Sequence, residues 1–130
     1  MQNVINNVQH EIKRGDIWWV SMTGGKGSEQ KITRPCFVIQ NDLGNKFSPT
    51  VTILPLTSQN KKWLPTHSTL HKTTCLALLS TVLAEQITTI SKERFLSYIG
   101  SINPSEIMAI EDAIMIQLGI TPRNNIAYAN

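Results

Sequence analysis

The stretch from Gly27 to Gln59 reads GSEQKITRPCFVIQNDLGNKFSPTVTILPLTSQ. It holds two apolar runs of strand length, Pro35–Gln40 and Val51–Thr57, both rich in β-branched and aromatic side chains. Between them Asn41–Asn45 reads as a turn, and Ser48-Pro49 opens the second strand. Pro35 suits the first position of its strand, and Pro55 calls for an edge or a bulge, because neither can donate to a ladder. Arg34 stands at the mouth of the first strand, and Thr57 ends the second.

Working outward, Lys13–Asp16 is a turn and Ile17–Ser21 a strand. Strand side chains alternate, so Trp18 and Trp19 face opposite ways. One belongs to the core and the other to a partner interface or a ligand platform. Thr23–Ser28 is a glycine-rich loop, long for a hairpin and suited to covering a site, but it lacks the GxxxxGK[ST] pattern of a phosphate-binding loop. Downstream, Lys61–Leu64 is a basic, aromatic loop, Thr66–Leu70 a short strand, and Leu76–Thr89 one or two longer strands.

The period then changes. Ser91 can cap a short helix, Lys92–Tyr98, stopped by Gly100. Asn103-Pro104-Ser105-Glu106 combines a cap, a proline at the first helical position and a glutamate three residues after the cap. Ile107, Ile110, Ile114 and Leu118 follow on one face, and Gly119 ends the helix. Residues 1–12 form a lead-in with the spacing of a short amphipathic helix, and residues 121–130 a tail. Short strands with tight turns, followed by helices, describe a mainly β fold with α additions, a small barrel. The apolar stripe of the last helix covers that barrel or meets a second copy.

A chain of 130 residues is one domain's worth and needs no metal or disulfide to fold. It has no run of ~18 apolar residues that would cross a membrane, and its polar N-terminus does not read as a signal peptide. Two lone cysteines, Cys36 and Cys75, fit reduced thiols in a cytoplasm. Charge is uneven: residues 1–84 carry +5 and residues 85–130 carry −2. A basic front half suits a polyanionic ligand, and also suits a merely solvated surface.

Few residues are placed for chemistry. His67 and His71 would lie roughly 13 Å apart on one strand face, too far to share a metal. His67 as a general base and His67 as a hydrogen-bonded structural residue both stay open. Cys36 sits in an apolar strand, where a thiol is inert. What remains is Arg34, Thr57, Ser28, Glu29 and Gln86. A guanidinium offers planar contacts to phosphate and stays charged, and a nearby threonine hydroxyl could help it hold a phosphodiester. The same pair also fits a surface arginine beside a strand threonine. Lys26, Lys31, Lys61 and Lys62 suit phosphate contacts and Trp63 suits base stacking, or all five are ordinary surface and packing residues.

The segments KRGD, GSEQ, RP-x-x-VIQND, NKFSPT, LPTH and AEQITTI occur here in an order and spacing that strongly resemble the MazF/PemK-type toxins of bacterial toxin–antitoxin systems, over about residues 13–120. The resemblance implies an SH3-like barrel, a homodimer, and ribosome-independent cleavage of single-stranded RNA at short sequences, without metal or cofactor. It implies catalysis by Arg34 and Thr57, RNA contacts from Ser28, Glu29 and Gln86, and a cognate antitoxin as protein partner. The sequence departs from the family in its extra lead-in, in Thr88 where many relatives carry arginine, and in a shorter, less charged segment 71–80. Two other readings of such a barrel are a non-catalytic poison of the gyrase-inhibitor type and a non-catalytic nucleic-acid-binding module. RPCFVIQND and LPLTSQ weigh against the first, and intact Arg34 and Thr57 against the second.

Overall fold

In the computed structural model, residues 10–23 and 31–121 are described. Seven strands, β1 (Asp16–Thr23), β2 (Lys31–Val38), β3 (Thr50–Thr57), β4 (His67–Thr69), β5 (Thr81–Leu83), β6 (Thr88–Ser91) and β7 (Phe95–Ser101), precede a C-terminal helix. A short helix, α1 (Asp42–Phe47), joins β2 to β3, and α2 (Ile107–Leu118) ends the described fold. All pairings are antiparallel. The path runs β4-β5-β3-β2-β1-β7, with β6 on β3, so the described strands do not close into a hydrogen-bonded ring. The mainly β class with an added C-terminal helix is as expected; a fully closed barrel is not.

The fork in β3 is what bends the sheet. Thr50–Ile53 pairs with β6, and Leu56–Thr57 pairs with β5. Pro55 stands in the gap between these two ladders, where its missing N–H costs least. On its other side β3 meets β2 over Cys36↔Pro55, Phe37↔Leu54 and Val38↔Ile53.

Alternation in the strands separates two cores. Ile17, Phe37, Leu54, Leu56, Val82 and Ile110 cluster on the face covered by α2. Trp18, Val20, Cys36, Val38, Val51 and Ile53 fill the opposite face. Trp18 is thus the core tryptophan, its indole donating to Asp16, while Trp19 remains 42 % exposed. In α2, Ile110 is fully buried and Ile107 and Ile114 pack against the same core, as the spacing predicts, whereas Leu118, the last residue of the expected stripe, is 52 % exposed at the helix end. Asn103 accepts from the Ser105 N–H, and Gly119 ends the helix at φ 69°.

Four local expectations are corrected. β2 begins at Lys31 rather than Pro35, because β1 runs on to Thr23 and pairs with the earlier residues. Asn41–Asn45 starts a helix rather than forming a plain turn: the Asn41 side chain accepts from the Gly44 N–H as an N-cap. Leu76–Thr89 holds only the short β5 and the start of β6, since Ala84–Gln86 winds into a 3-10 turn. Lys92–Tyr98 is not a helix. Ser91 does cap a turn, but it lasts only Lys92–Arg94 before β7 takes over and pairs with β1. Non-local ladder formation overrides the local helical signal there. Among the described residues no helix is long and apolar enough to cross a membrane.

Candidate active site

The apolar rows of the Trp18 core turn polar at one end. Val38 and Cys36 on β2 are followed on the same face by Arg34; Val51 and Ile53 on β3 are followed, past Pro55, by Thr57. The β2–β3 ladder ends at Cys36↔Pro55, and Arg34 and Thr57 each lie two residues beyond that last pair, so that the same register carried on would bring them face to face. Directly opposed residues share a face. Nearest neighbours on the other side are Val20, opposite Arg34, and Thr81, opposite Thr57.

Arg34 is half-buried, and its Nη1 donates to Gln86 Oε1 at 3.2 Å. This bond joins two residues 52 positions apart and is the guanidinium's one hydrogen bond among the described residues. Gln86 is placed by the 3-10 turn Ala84–Gln86, the same turn that cuts β5 short. Thr57 is buried, and its hydroxyl accepts from the Gln59 N–H at 3.1 Å, which leaves the hydroxyl proton to donate.

A cavity of about 280 Å³ opens beside Thr57, lined also by Ser58, Gln59, Asn60, Lys61, Trp63, His67, Thr69, Leu79, Thr81 and Leu83. Lys61 and Trp63 therefore come to the catalytic candidate's side; Trp63 is 67 % exposed, as a stacking platform must be. Lys62 is exposed on the same loop. Lys31 begins β2, opposite Thr23. Lys26, Ser28 and Glu29 lie outside the described residues. A larger cavity of about 500 Å³, between His10, Trp18, Lys46 and Phe95, shares no residue with Arg34, Thr57 or Gln86.

His67 lines the smaller cavity, yet neither ring nitrogen is available as a base. Nδ1 accepts from the Leu64 N–H at 3.3 Å, and Nε2 meets Glu85 Oε2 at 2.9 Å. Glu85 Oε1 accepts from the Thr66 hydroxyl at 2.7 Å. Burial raises the Glu85 pKa, but the hydrogen bonds from Thr66 and His67 outweigh it and hold the carboxyl below its ordinary value. This cluster was not foreseen as a unit; the only sequence signal was His67 beside a polar Thr66 in LPTH. Burial pushes the Cys36 thiol up to about 12, so it is protonated and inert. Among the described residues no three His, Cys, Asp or Glu side chains converge as a metal site.

Comparison with known proteins places these features in a family. The model of the PemK-like, MazF-like toxins of type II toxin–antitoxin systems matches residues 13–118. An endoribonuclease MazF from Staphylococcus epidermidis is 38 % identical over 111 residues, covering 84 % of this chain and 92 % of that protein. Among solved structures, an endoribonuclease in complex with its cognate antitoxin from Mycobacterial species superposes with TM-score 0.72 at 22 % identity, over 85 % of this chain and 98 % of the other. A MazE–MazF structure from Deinococcus radiodurans gives TM-score 0.72 at 20 % identity, over 87 % and 100 %. The structures speak to the fold, and the family match and the staphylococcal relative to kinship: this chain belongs to the PemK-like, MazF-like toxins of type II toxin–antitoxin systems.

Proposed function

We propose that this protein is an endoribonuclease toxin that cuts single-stranded RNA at short sequences, independently of the ribosome, using Arg34 and Thr57. One observation supports the assignment of residues: Arg34, tethered to Gln86, and Thr57 each lie two residues past the end of the β2–β3 ladder, on the side of the sheet where the apolar rows turn polar. The family membership and the staphylococcal endoribonuclease support the activity itself.

RNA brings its own nucleophile, the 2′-hydroxyl. The 2′-oxygen bonds to phosphorus while the bond to the 5′-oxygen breaks. The 2′-hydroxyl proton passes to solvent, and the departing 5′-oxygen takes one up. The products are a 2′,3′-cyclic phosphate and a 5′-hydroxyl. The part of Arg34 is to neutralise the charge that builds on the phosphoryl oxygens, and Thr57 donates its hydroxyl proton to one of them. Holding the ribose and phosphate in line supplies much of the rate. The guanidinium provides the positive charge that a metal supplies elsewhere, so the reaction runs without one. Lys61 and Trp63 border the Thr57 cavity and suit a flanking phosphate and base, and Lys62 is exposed on the same loop; Lys26, Lys31, Ser28 and Glu29 are further candidates for RNA contact by their chemistry alone.

The active species is a homodimer. Trp19 is exposed on β1, next to Leu96, the extra residue of a β-bulge in β7 that is itself 53 % exposed. A cognate antitoxin is its protein partner, as the toxin–antitoxin complexes among the structural neighbours suggest. The reaction takes place in the cytoplasm, where its mRNA substrate is.

Purified protein should cut a long unstructured transcript in excess EDTA, leaving 5′-hydroxyl ends that polynucleotide kinase labels directly. Activity only with magnesium, or 5′-phosphate ends, would overturn this chemistry.

A further inference from the structure

The side chain of His67 is 4 % exposed and sits in the wall of the Thr57 cavity, yet it touches nothing that reacts. Because Nδ1 accepts from the Leu64 N–H, the ring proton stands on Nε2 and is donated to Glu85. Glu85 receives Thr66 on its other oxygen, and the Ala84 N–H donates to the Thr66 carbonyl at 3.0 Å. Three hydrogen bonds therefore clamp Ala84 and Glu85 to the start of β4. The next residue is Gln86, whose carbonyl holds Arg34. A buried imidazole paired with a half-buried carboxylate, at a turn that presents a single functional amide, is more than the turn needs; its own closing bond, Ile87 N–H to Ala84 O, is already made.

We propose that His67 is a positioning residue for RNA cleavage: through Glu85 it sets the 3-10 turn from which Gln86 orients the Arg34 guanidinium. The proposal rests on the assignment of Arg34 to the reacting phosphate. His67 also ties the Lys61–Leu64 loop through Leu64, so its two bonds must be tested separately.

Two substitutions do so. His67→Gln puts an amide N–H where Nε2 was, keeping the donation to Glu85 and losing the acceptor for Leu64. His67→Asn puts an amide oxygen where Nδ1 was, keeping Leu64 and losing Glu85. Each is measured by single-turnover cleavage, at saturating enzyme, of the site that the wild-type protein cuts fastest in an unstructured transcript. Melting temperature and half-saturating enzyme concentration are recorded alongside. Small misplacements of a catalytic group cost up to ~100-fold in rate. His67→Asn should be slower than His67→Gln by about 10-fold at saturation, with half-saturation changed by less than about twofold. Combining His67→Asn with Gln86→Ala should be little slower than Gln86→Ala alone, since the two act in series. Glu85→Gln, which preserves shape, should lower the saturated rate per folded molecule with only a small drop in melting temperature, and so serves if a His67 variant fails to fold. Equal rates for the two His67 variants, a faster His67→Asn, additive losses with Gln86→Ala, or an unaffected Glu85→Gln each overturn the proposal. Arg34→Ala in the same series separates the two levels. If it cuts normally, both the Arg34 assignment and the positioning role fall. If it is inactive while the His67 variants behave alike, only the positioning role falls.

Discussion

Two arginines, one just before β1 and one within β2, are used in opposite ways. Arg14, just before β1, is consumed by structure: its N–H donates to Asp42 at 2.7 Å, its Nε to the Ile39 carbonyl at 2.9 Å, and its Nη2 to Glu111 of α2 at 2.8 Å. It fastens the C-terminal helix to the strand-to-helix corner. Arg34, within β2, makes one side-chain hydrogen bond among the described residues, to the neutral amide of Gln86. A carboxylate partner would cancel its charge; an amide aims it without doing so. A structural arginine is recognised by its counter-ions, a functional one by an orienting neighbour that leaves the positive charge for a ligand.

That contrast can be broken in several places. Arg34→Ala should lower RNA cleavage by about 1000-fold while the melting temperature hardly moves, the size expected for removing a cation from a phosphoryl transition state. Circular dichroism and single-turnover assays together would check it. Gln86→Ala should cost about 10-fold, because the guanidinium keeps its charge and loses only its aim. Arg14→Ala should do the reverse: stability falls by about 1–3 kcal/mol in urea titrations, and the rate per folded molecule is preserved. The smallest effect concerns acid. The Glu85 carboxyl, held low in the folded state, contributes stability that is complete above its unfolded value of ~4.3 and is lost as pH falls through the lower folded value. Glu85→Gln should therefore flatten the loss of stability below about pH 4.5 relative to wild type, read from urea midpoints across pH.

Much of this was legible in the sequence where the signal is local. PCFVIQ and VTILPLT become β2 and β3 because β-branched and aromatic runs bounded by turn residues have few alternatives. Asn103-Pro104 opens the 3-10 turn Pro104–Glu106 that leads into α2, and Gly119 ends the helix, because caps act over one turn. The largest failure is non-local: Lys92–Tyr98 reads as a helix until β1 offers Phe95–Ser101 a ladder; a local one is NDLGN, which reads as a turn until the Asn41 side chain commits to capping. At the site, Arg34, Thr57 and Gln86 were nameable, but no spacing rule brings Gln86 to Arg34 across 52 residues, or Glu85 to His67 across 18. The 3-10 turn that creates both contacts lies inside what reads as continuous strand.

The central claim is that the ribose breaks its own chain beside Arg34 and Thr57. The most direct test replaces the 2′-hydroxyl by hydrogen at the nucleotide 5′ to the cut, in an otherwise unchanged RNA oligonucleotide, with cleavage and binding measured in EDTA. Binding should persist and cleavage should vanish. Cutting of the deoxy-substituted RNA at the wild-type position and rate would contradict the account.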